Sequence, residues 1–166
     1  MNKRFLFISA ILALLIAMPT VGYTATVDKT GGAVYAIPHS GLNKVFVLSN
    51  TVDISGADDG DVYQVLPAGT GSVVLNVFTK IVTPNDAATS STVNIGDGSN
   101  ASGYGSSTSM KAAAGTFTKG VGGTHTYITN DGTLYTAGDT IDLTFTVTGT
   151  NTVGSVKVMA LCVDLN

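Results

Sequence analysis

The amino-acid sequence predicts an all-β protein, an antiparallel two-sheet sandwich of about eight strands with a jelly-roll-like topology, and three observations carry that expectation. The first is composition. Twenty-four Thr and twenty Gly dominate the 166 residues, all eleven acidic residues are Asp, and Glu is absent. Thr, Val, Ile and Tyr suit a pleated surface, Gly and Asp suit turns, and the helix formers Glu, Gln, Arg and Leu are scarce beyond the first 25 residues. The second is residues 141–148, where Ile141, Leu143, Phe145 and Val147 alternate without error against Asp142, Thr144, Thr146 and Thr148. Strand side chains point to opposite faces in turn, so this pattern describes one buried and one wet face. The third is the recurrence of Gly, Pro, Asp and Asn clusters between short apolar runs, as in sandwiches.

Residues 1–25 stand apart as a hydrophobic leader. Met1-Asn-Lys-Arg4 is a basic tip, and the fourteen mostly apolar residues 5–18 follow it. This is the form of a secretory signal peptide, and fourteen residues fall short of the ~20 that a spanning helix needs. Cleavage after Gly22 would place Thr20 at the −3 position, and cleavage after Ala25 would place bulky Tyr23 there. Met18-Pro-Thr-Val also reads as a start in its own right, which makes a mis-assigned upstream start codon the second explanation and a retained anchor the third. Residues 26–166 are expected to form a single β-sandwich domain, which at this length buries roughly two-thirds of its unfolded surface.

Along that body, residues 32–37 form the first strand candidate and residues 44–54 (KVFVLSNTVDI) the second. Gly56-Ala-Asp-Asp-Gly60 is turn chemistry, followed by a strand at 61–66 (DVYQVL), a turn at Pro67-Ala-Gly-Thr-Gly71 and a strand at 72–83 (SVVLNVFTKIVT). Residues 91–95 and 125–129 are shorter strand candidates. Between them, 96–123 is a Gly/Ser/Thr-rich excursion at one end of the sandwich, with a helical turn near 109–114, ordered only where something packs on it. Residues 141–148, the turn 149–154 and residues 155–165 read as a C-terminal hairpin. In its last strand Val156, Val158, Ala160 and Cys162 form one face, while Met159, Leu161, Val163 and Leu165 form the other, interrupted by Lys157. Both faces turn apolar, which predicts a strand central in its sheet or covered by a partner subunit.

The chemistry-bearing residues are sparse. Charged residues make up 11% of the chain, against ~25% in ordinary globular domains. Beyond the leader six Lys face eleven Asp, a net of −5, which argues against direct nucleic-acid binding. Cys162 is the sole cysteine, so no intrachain disulfide forms, and its apolar neighbours predict a buried thiol. His39 and His125 lack metal-ligand spacing and read as surface histidines. No Gly-x-Ser-x-Gly elbow occurs, and Gly103-Tyr-Gly-Ser-Ser-Thr lacks a phosphate-loop lysine. Asp58, Asp59 and Asp61, flanked by Gly56 and Gly60, are a candidate Ca²⁺ loop, weighed against an acidic turn exposed to water. The run Ile95-Gly-Asp-Gly-Ser-Asn100 is a lesser variant of the same idea, and Asn100-Ala-Ser102 is a formal glycosylation sequon. The reading is therefore of a protein that is not an enzyme and takes no cofactor. Its outward strand positions are mostly Thr, Ser and Asn, a bland surface suited to subunit packing.

Four segments resemble the small β-rich structural proteins of tailed bacteriophages, the capsid-associated or decoration type. They are Gly60-Asp-Val-Tyr-Gln-Val-Leu-Pro-Ala-Gly-Thr70, Val93-Asn-Ile-Gly-Asp-Gly98 with Gly103-Tyr104, Gly132-Thr-Leu-Tyr-Thr-Ala-Gly-Asp-Thr-Ile-Asp-Leu143 and Val156-Lys-Val-Met-Ala-Leu-Cys-Val-Asp-Leu165. The resemblance spans residues 45–166. It implies a virion structural subunit without catalysis, located in the particle, acting by homo-oligomerisation (a trimer favoured) and by docking on other virion proteins. Met159, Leu161, Val163 and Leu165 would lie at the subunit interface. The leader departs from that pattern, since such proteins assemble in the cytoplasm. A functional signal would instead point to a periplasmic or extracellular β-sandwich binding module or adhesin.

Overall fold

The computed structural model describes residues 24–36, 45–87, 89–119, 125–130 and 132–165. The leader up to residue 23, His39 and the 120–124 stretch of the Gly/Ser/Thr-rich excursion lie outside the described residues. Eleven strands are present among the described residues: β1 (Thr26–Asp28), β2 (Val34–Ala36), β3 (Val45–Asp53), β4 (Val62–Ala68), β5 (Ser72–Thr83), β6 (Ser90–Gly96), β7 (Gly105–Ser109), β8 (Phe117–Lys119), β9 (Thr133–Tyr135), β10 (Asp139–Thr148) and β11 (Ser155–Asp164). One short helix, α1 (Thr126–Thr129), and a 3₁₀ turn at Thr30–Gly32 complete the described elements. The count exceeds the expected eight because β1, β8 and β9 have three residues each, too few to display an alternation.

The strands form two sheets, as expected for an all-β sandwich. The first runs β1-β4-β10-β6-β7 and the second β2-β3-β11-β5-β8, with β9 also paired to β5. The ladders are antiparallel except that β1 lies parallel to β4. β3, β4, β5 and β6 alternate between the sheets, and so do β10 and β11, which corrects the expected C-terminal hairpin. β10 pairs with β4 and β6 in the first sheet, and β11 pairs with β3 and β5 in the second, so residues 149–154 cross from one layer to the other. Side chains hold the crossing in place. The Asn151 amide donates to the carbonyls of Ile54 (2.8 Å) and Ala57 (3.3 Å). Asp86 accepts from the Thr152 N–H (2.7 Å), the Thr152 hydroxyl (2.6 Å) and the Val153 N–H (3.0 Å).

The core lies between the two inner faces. Ile141, Leu143, Phe145 and Val147 of β10 are buried against Val156, Val158, Ala160 and Cys162 of β11, both sets being the faces that the alternation marks. Each large apolar side chain so buried stabilises by about 1.5–3 kcal/mol. Tyr63 meets Phe145 edge-on, with ring centroids 4.8 Å apart. A polar side chain also bridges the layers: the Asn50 amide on β3 donates to the Lys29 carbonyl (2.7 Å) and to the Val65 carbonyl on β4 (3.0 Å), tying the sheets together.

Two further expectations need correction. Residues 125–129, read as a strand, contain α1 instead. Their backbone is engaged locally, with Tyr127 N–H donating to Gly103 O (3.2 Å) and Gly132 N–H to Tyr127 O (2.8 Å), so the segment joins no sheet. The 96–123 excursion is also less separate than its composition suggests. It contributes β7 to the first sheet and β8 to the second, and its Tyr104 and Met110 are fully buried.

Candidate functional site

Two surfaces concentrate side chains that the core does not use. The first is the outer face of the second sheet, with β11 at its centre, and antiparallel register assigns its rows. Directly opposed residues share a face, so Val45, Val163, Val73 and Leu134 form one row across β3, β11, β5 and β9. The next row pairs Val47 with Leu161, which faces Asn76 at a bulge in β5. Then come Ser49, Met159, Phe78 and Lys119, and after them Thr51, Lys157, Lys80 and Phe117. The face thus grades from apolar at the C-terminal end of β11 to basic and aromatic at its N-terminal end. Met159, Leu161 and Val163 are partly exposed here, and Val45, Leu134, Phe117 and Leu165 are each about half exposed or more. Isolated exposed apolar residues are ordinary, whereas a contiguous set marks an interaction surface.

The second is a polar cluster at one end of the sandwich. Asp97, at the end of β6, is its hub. Its carboxylate accepts the N–H groups of Ser99 (2.9 Å) and Asn100 (2.8 Å) and the hydroxyls of Tyr127 (3.0 Å) and Tyr135 (2.9 Å). Tyr104 and Tyr135 share a further hydrogen bond of 3.1 Å, and Tyr104 lies edge-on to Tyr127 at 5.0 Å. Two glycines permit this packing: a Cβ at Gly96 would collide with the Asn100 carbonyl, and one at Gly103 with the Tyr127 ring. Burial pushes the Tyr104 phenol up to about 12 and raises Tyr127 and Tyr135 further. These hydroxyls therefore stay protonated and act as donors, not as bases. A shallow cavity of about 230 Å³, lined by Asp97, Tyr127, Tyr135 and Asp139 among others, opens beside them. Next to it on β10 lies Asp142, raised to about 6 first by burial and then by the carboxylates of Asp139 and Asp97, against the opposing hydrogen bond from the Thr140 hydroxyl (2.7 Å).

The residues singled out in the sequence fall as follows. Asp58, Asp59 and Asp61 do not assemble into a calcium loop. Asp61 is buried, and its two oxygens accept the N–H groups of Ala25 (2.8 Å) and Asp58 (3.0 Å), while Asp59 accepts the Val147 N–H (3.2 Å). Those carboxylates secure the crossing between β3 and β4, and only Asp58 and Asp59 are exposed to water. Among the described residues no three His, Cys, Asp or Glu side chains group in a way that could hold a metal ion. His125 is buried, not on the surface, with Nδ1 3.0 Å from the Ser102 carbonyl. Cys162 is a buried thiol, as its neighbours predict, and burial pushes it up to about 12. Asp97, in the run 95–100 that the sequence offers as a lesser cation loop, instead binds Tyr127 and Tyr135, which lie 30 and 38 residues away, so that spacing does not pair them with it. Among the described residues no helix is long and apolar enough to cross a membrane.

Comparison with known proteins places the fold. No family model matches the chain, and no curated protein matches it. Among solved structures, a chain of the capsid of Ralstonia phage GP4 superposes with a TM-score of 0.56 at 12% identity, covering 84% of this chain and 97% of that one. A chain of the cyanophage Pam1 capsid asymmetric unit superposes with a TM-score of 0.53 at 23% identity, covering 89% of this chain and 99% of that one. The protein shares the two-sheet fold of these chains.

Proposed function

We propose that this chain is a non-enzymatic structural subunit of a bacteriophage particle, a capsid decoration protein or a minor head or tail component. It would fold as a single domain beyond the leader, reside in the virion and need no cofactor. The observation that carries this reading is the extent of the structural likeness: nearly the whole of two phage capsid chains corresponds to nearly the whole of the body described above. Two strand orders, β3-β11-β5-β8 and β4-β10-β6-β7, support the jelly-roll expectation, because strands wound as a double Greek key alternate between layers in this way. The outer face of β11 supports the expected mode of action. Met159, Leu161, Val163 and Leu165 belong to an apolar surface that is partly or wholly open to water, and a second copy in a homo-oligomer, a trimer favoured, would cover it. Repetition on a lattice then turns weak single contacts into strong attachment.

The test is co-purification. Particles banded on a density gradient from the culture that produces this protein should contain it in fixed stoichiometry to the major shell protein, as read by quantitative mass spectrometry. Finding the protein only in the particle-free supernatant would overturn the reading.

A further inference from the structure

We propose that the basic end of the second sheet's outer face is the seat for the acidic 54–61 loop of a neighbouring copy, so that association is head-to-tail and electrostatically guided. The inference rests on the self-associating subunit described above and specifies the chemistry of its contact.

The seat is defined by register. Lys157 on β11 stands directly opposite Lys80 on β5, Lys80 opposite Phe117 on β8, and Lys119 two positions along β8 opposite Phe78. Three lysines thus share one face of three adjacent strands with a pair of stacked rings, Phe78 and Phe117, whose centroids lie 5.5 Å apart. Lys80 and Lys119 are exposed, and Phe117 is 57% exposed. Like charges directly opposed across a ladder are unfavourable. Among the described residues no carboxylate pairs with any of the three lysines. In a body of net −5 with only six lysines beyond the leader, this clustering leaves a local positive field without an internal partner.

The same chain carries the complement. Most described carboxylates are already engaged: Asp28 with Thr30, Asp53 with Ser55, Asp61 with Ala25 and Asp58, Asp86 with Thr152, Asp97 with its tyrosines and Asp142 with Thr140. Asp58 and Asp59 are exposed side by side; Asp59 accepts the Val147 N–H through Oδ1 (3.2 Å), and among the described residues the Asp58 carboxylate receives no hydrogen bond. Their loop is held at its base by buried Ala57 and Asp61. Presenting this pair to a partner therefore orders little new chain. A basic-aromatic seat and an acidic loop on one molecule make two different patches, and joining unlike patches is the arrangement that closes rings such as trimers. A polyanionic nucleic acid fits less well, since the rest of the body is acidic and no arginine lies beyond the leader to fork onto phosphate.

Sedimentation velocity on the full chain tests this. Wild type should associate at micromolar concentration in about 50 mM salt and lose roughly tenfold in affinity by about 500 mM, as screened charges require. Lys80→Glu/Lys157→Glu should be monomeric with an unchanged circular dichroism spectrum and melting temperature. Adding Asp58→Lys, which breaks no hydrogen bond of the loop's carboxylates, to that variant should restore association. If Lys80→Glu/Lys157→Glu associates as tightly as wild type, or the triple exchange with Asp58→Lys fails to restore association while its circular dichroism is unchanged, this inference is overturned while the subunit reading stands. A wild type that stays monomeric at every salt concentration overturns both. Retardation of a single-stranded oligonucleotide by wild type, abolished in the double variant while self-association persists, assigns the seat to nucleic acid and also overturns it.

Discussion

The Tyr135 hydroxyl lies 2.9 Å from Oδ2 of Asp97, and through it β9 is bonded to the end of β6 in the opposite sheet. Both side chains are almost fully buried, so the pair is held in a medium where an unmade hydrogen bond is expensive. Removing the phenol by Tyr135→Phe leaves Oδ2 of Asp97 without this donor and breaks the bond to Tyr104. It should cost about 1–3 kcal/mol in urea denaturation. Asp97→Ala strands two phenols and two backbone N–H groups together and should cost more. An Asp97→Ala protein as stable as wild type would show that the cluster contributes nothing to holding this end of the sandwich.

Asp142 gives the fold an unusual response to pH. Its folded-state value is raised from 3.8 to about 6, chiefly by burial. An acid raised on folding binds its proton more tightly in the native state. Stability is therefore greatest below the unfolded value near 4, falls as pH rises through the interval from 4 to 6, and stays lower above it. At two units the loss is about 3 kcal/mol. Asp142→Asn removes the ionisation and keeps an acceptor for the Thr140 hydroxyl. The variant should exceed wild type in stability at pH 7 and match it near pH 4. Equal stability curves across that range would contradict the burial argument.

Asp86 runs the opposite way. Hydrogen bonds from Thr152 and Val153 lower it to about 2. Its contribution is present above the ordinary carboxylate value and disappears as pH falls from about 4 through 2. Asp86→Ala should lower the melting temperature at pH 7, and the difference from wild type should vanish near pH 2. A difference that persisted in acid would mean that the carboxylate's charge plays no part in holding the 149–154 crossing.

Legibility in the sequence followed the physics of each element. The inner faces of β10 and β11 could be read directly, because a strand's alternation is local and needs no knowledge of its partner. Partner choice was not local. Gly149, Asn151 and Gly154 have the turn chemistry of a hairpin, yet the chain uses them to pass between sheets, and what decides this is the distant bond from Asn151 to Ile54 and Ala57. Tyr127, Ile128 and Thr129 favour strands by propensity, but four residues cannot outweigh a tertiary demand that brings Tyr127 against Gly103 and Asp97. The order within 96–123 had one readable signal. Tyr104 and Met110 are the sole large apolar side chains between Ile95 and Phe117, and both are fully buried.

The alternation along β10 can itself be tested residue by residue. Phe145 is buried against Tyr63, and Thr146 beside it is exposed. Phe145→Ala opens a cavity at the centre of the core and should cost about 3–5 kcal/mol, a large share of the 5–15 kcal/mol that separates a typical domain from its unfolded state. Thr146→Ala should change stability by less than about 0.5 kcal/mol. Chemical denaturation of the two variants side by side checks the contrast, and comparable losses would mean that the strand's two faces are not inside and outside.

The apolar rows of the second sheet support the last prediction. Leu161 and Val163 point away from the core, whose side of β11 is filled by Ala160 and Cys162. Replacing either with Lys removes no internal contact of the kind that Val158 makes, so each monomer should remain folded. An interface that seats these side chains against a second copy would have to bury an ammonium group where it now buries an apolar side chain, and desolvating such a charge costs several kcal/mol. Leu161→Lys/Val163→Lys should therefore shift the protein to monomer in light scattering while leaving its circular dichroism unchanged, at any salt concentration. Salt-independence separates this apolar end of the face from the lysine-bearing end, where screening should weaken the contact. An unaltered oligomer in the double variant would remove the outer face of β11 from the assembly surface.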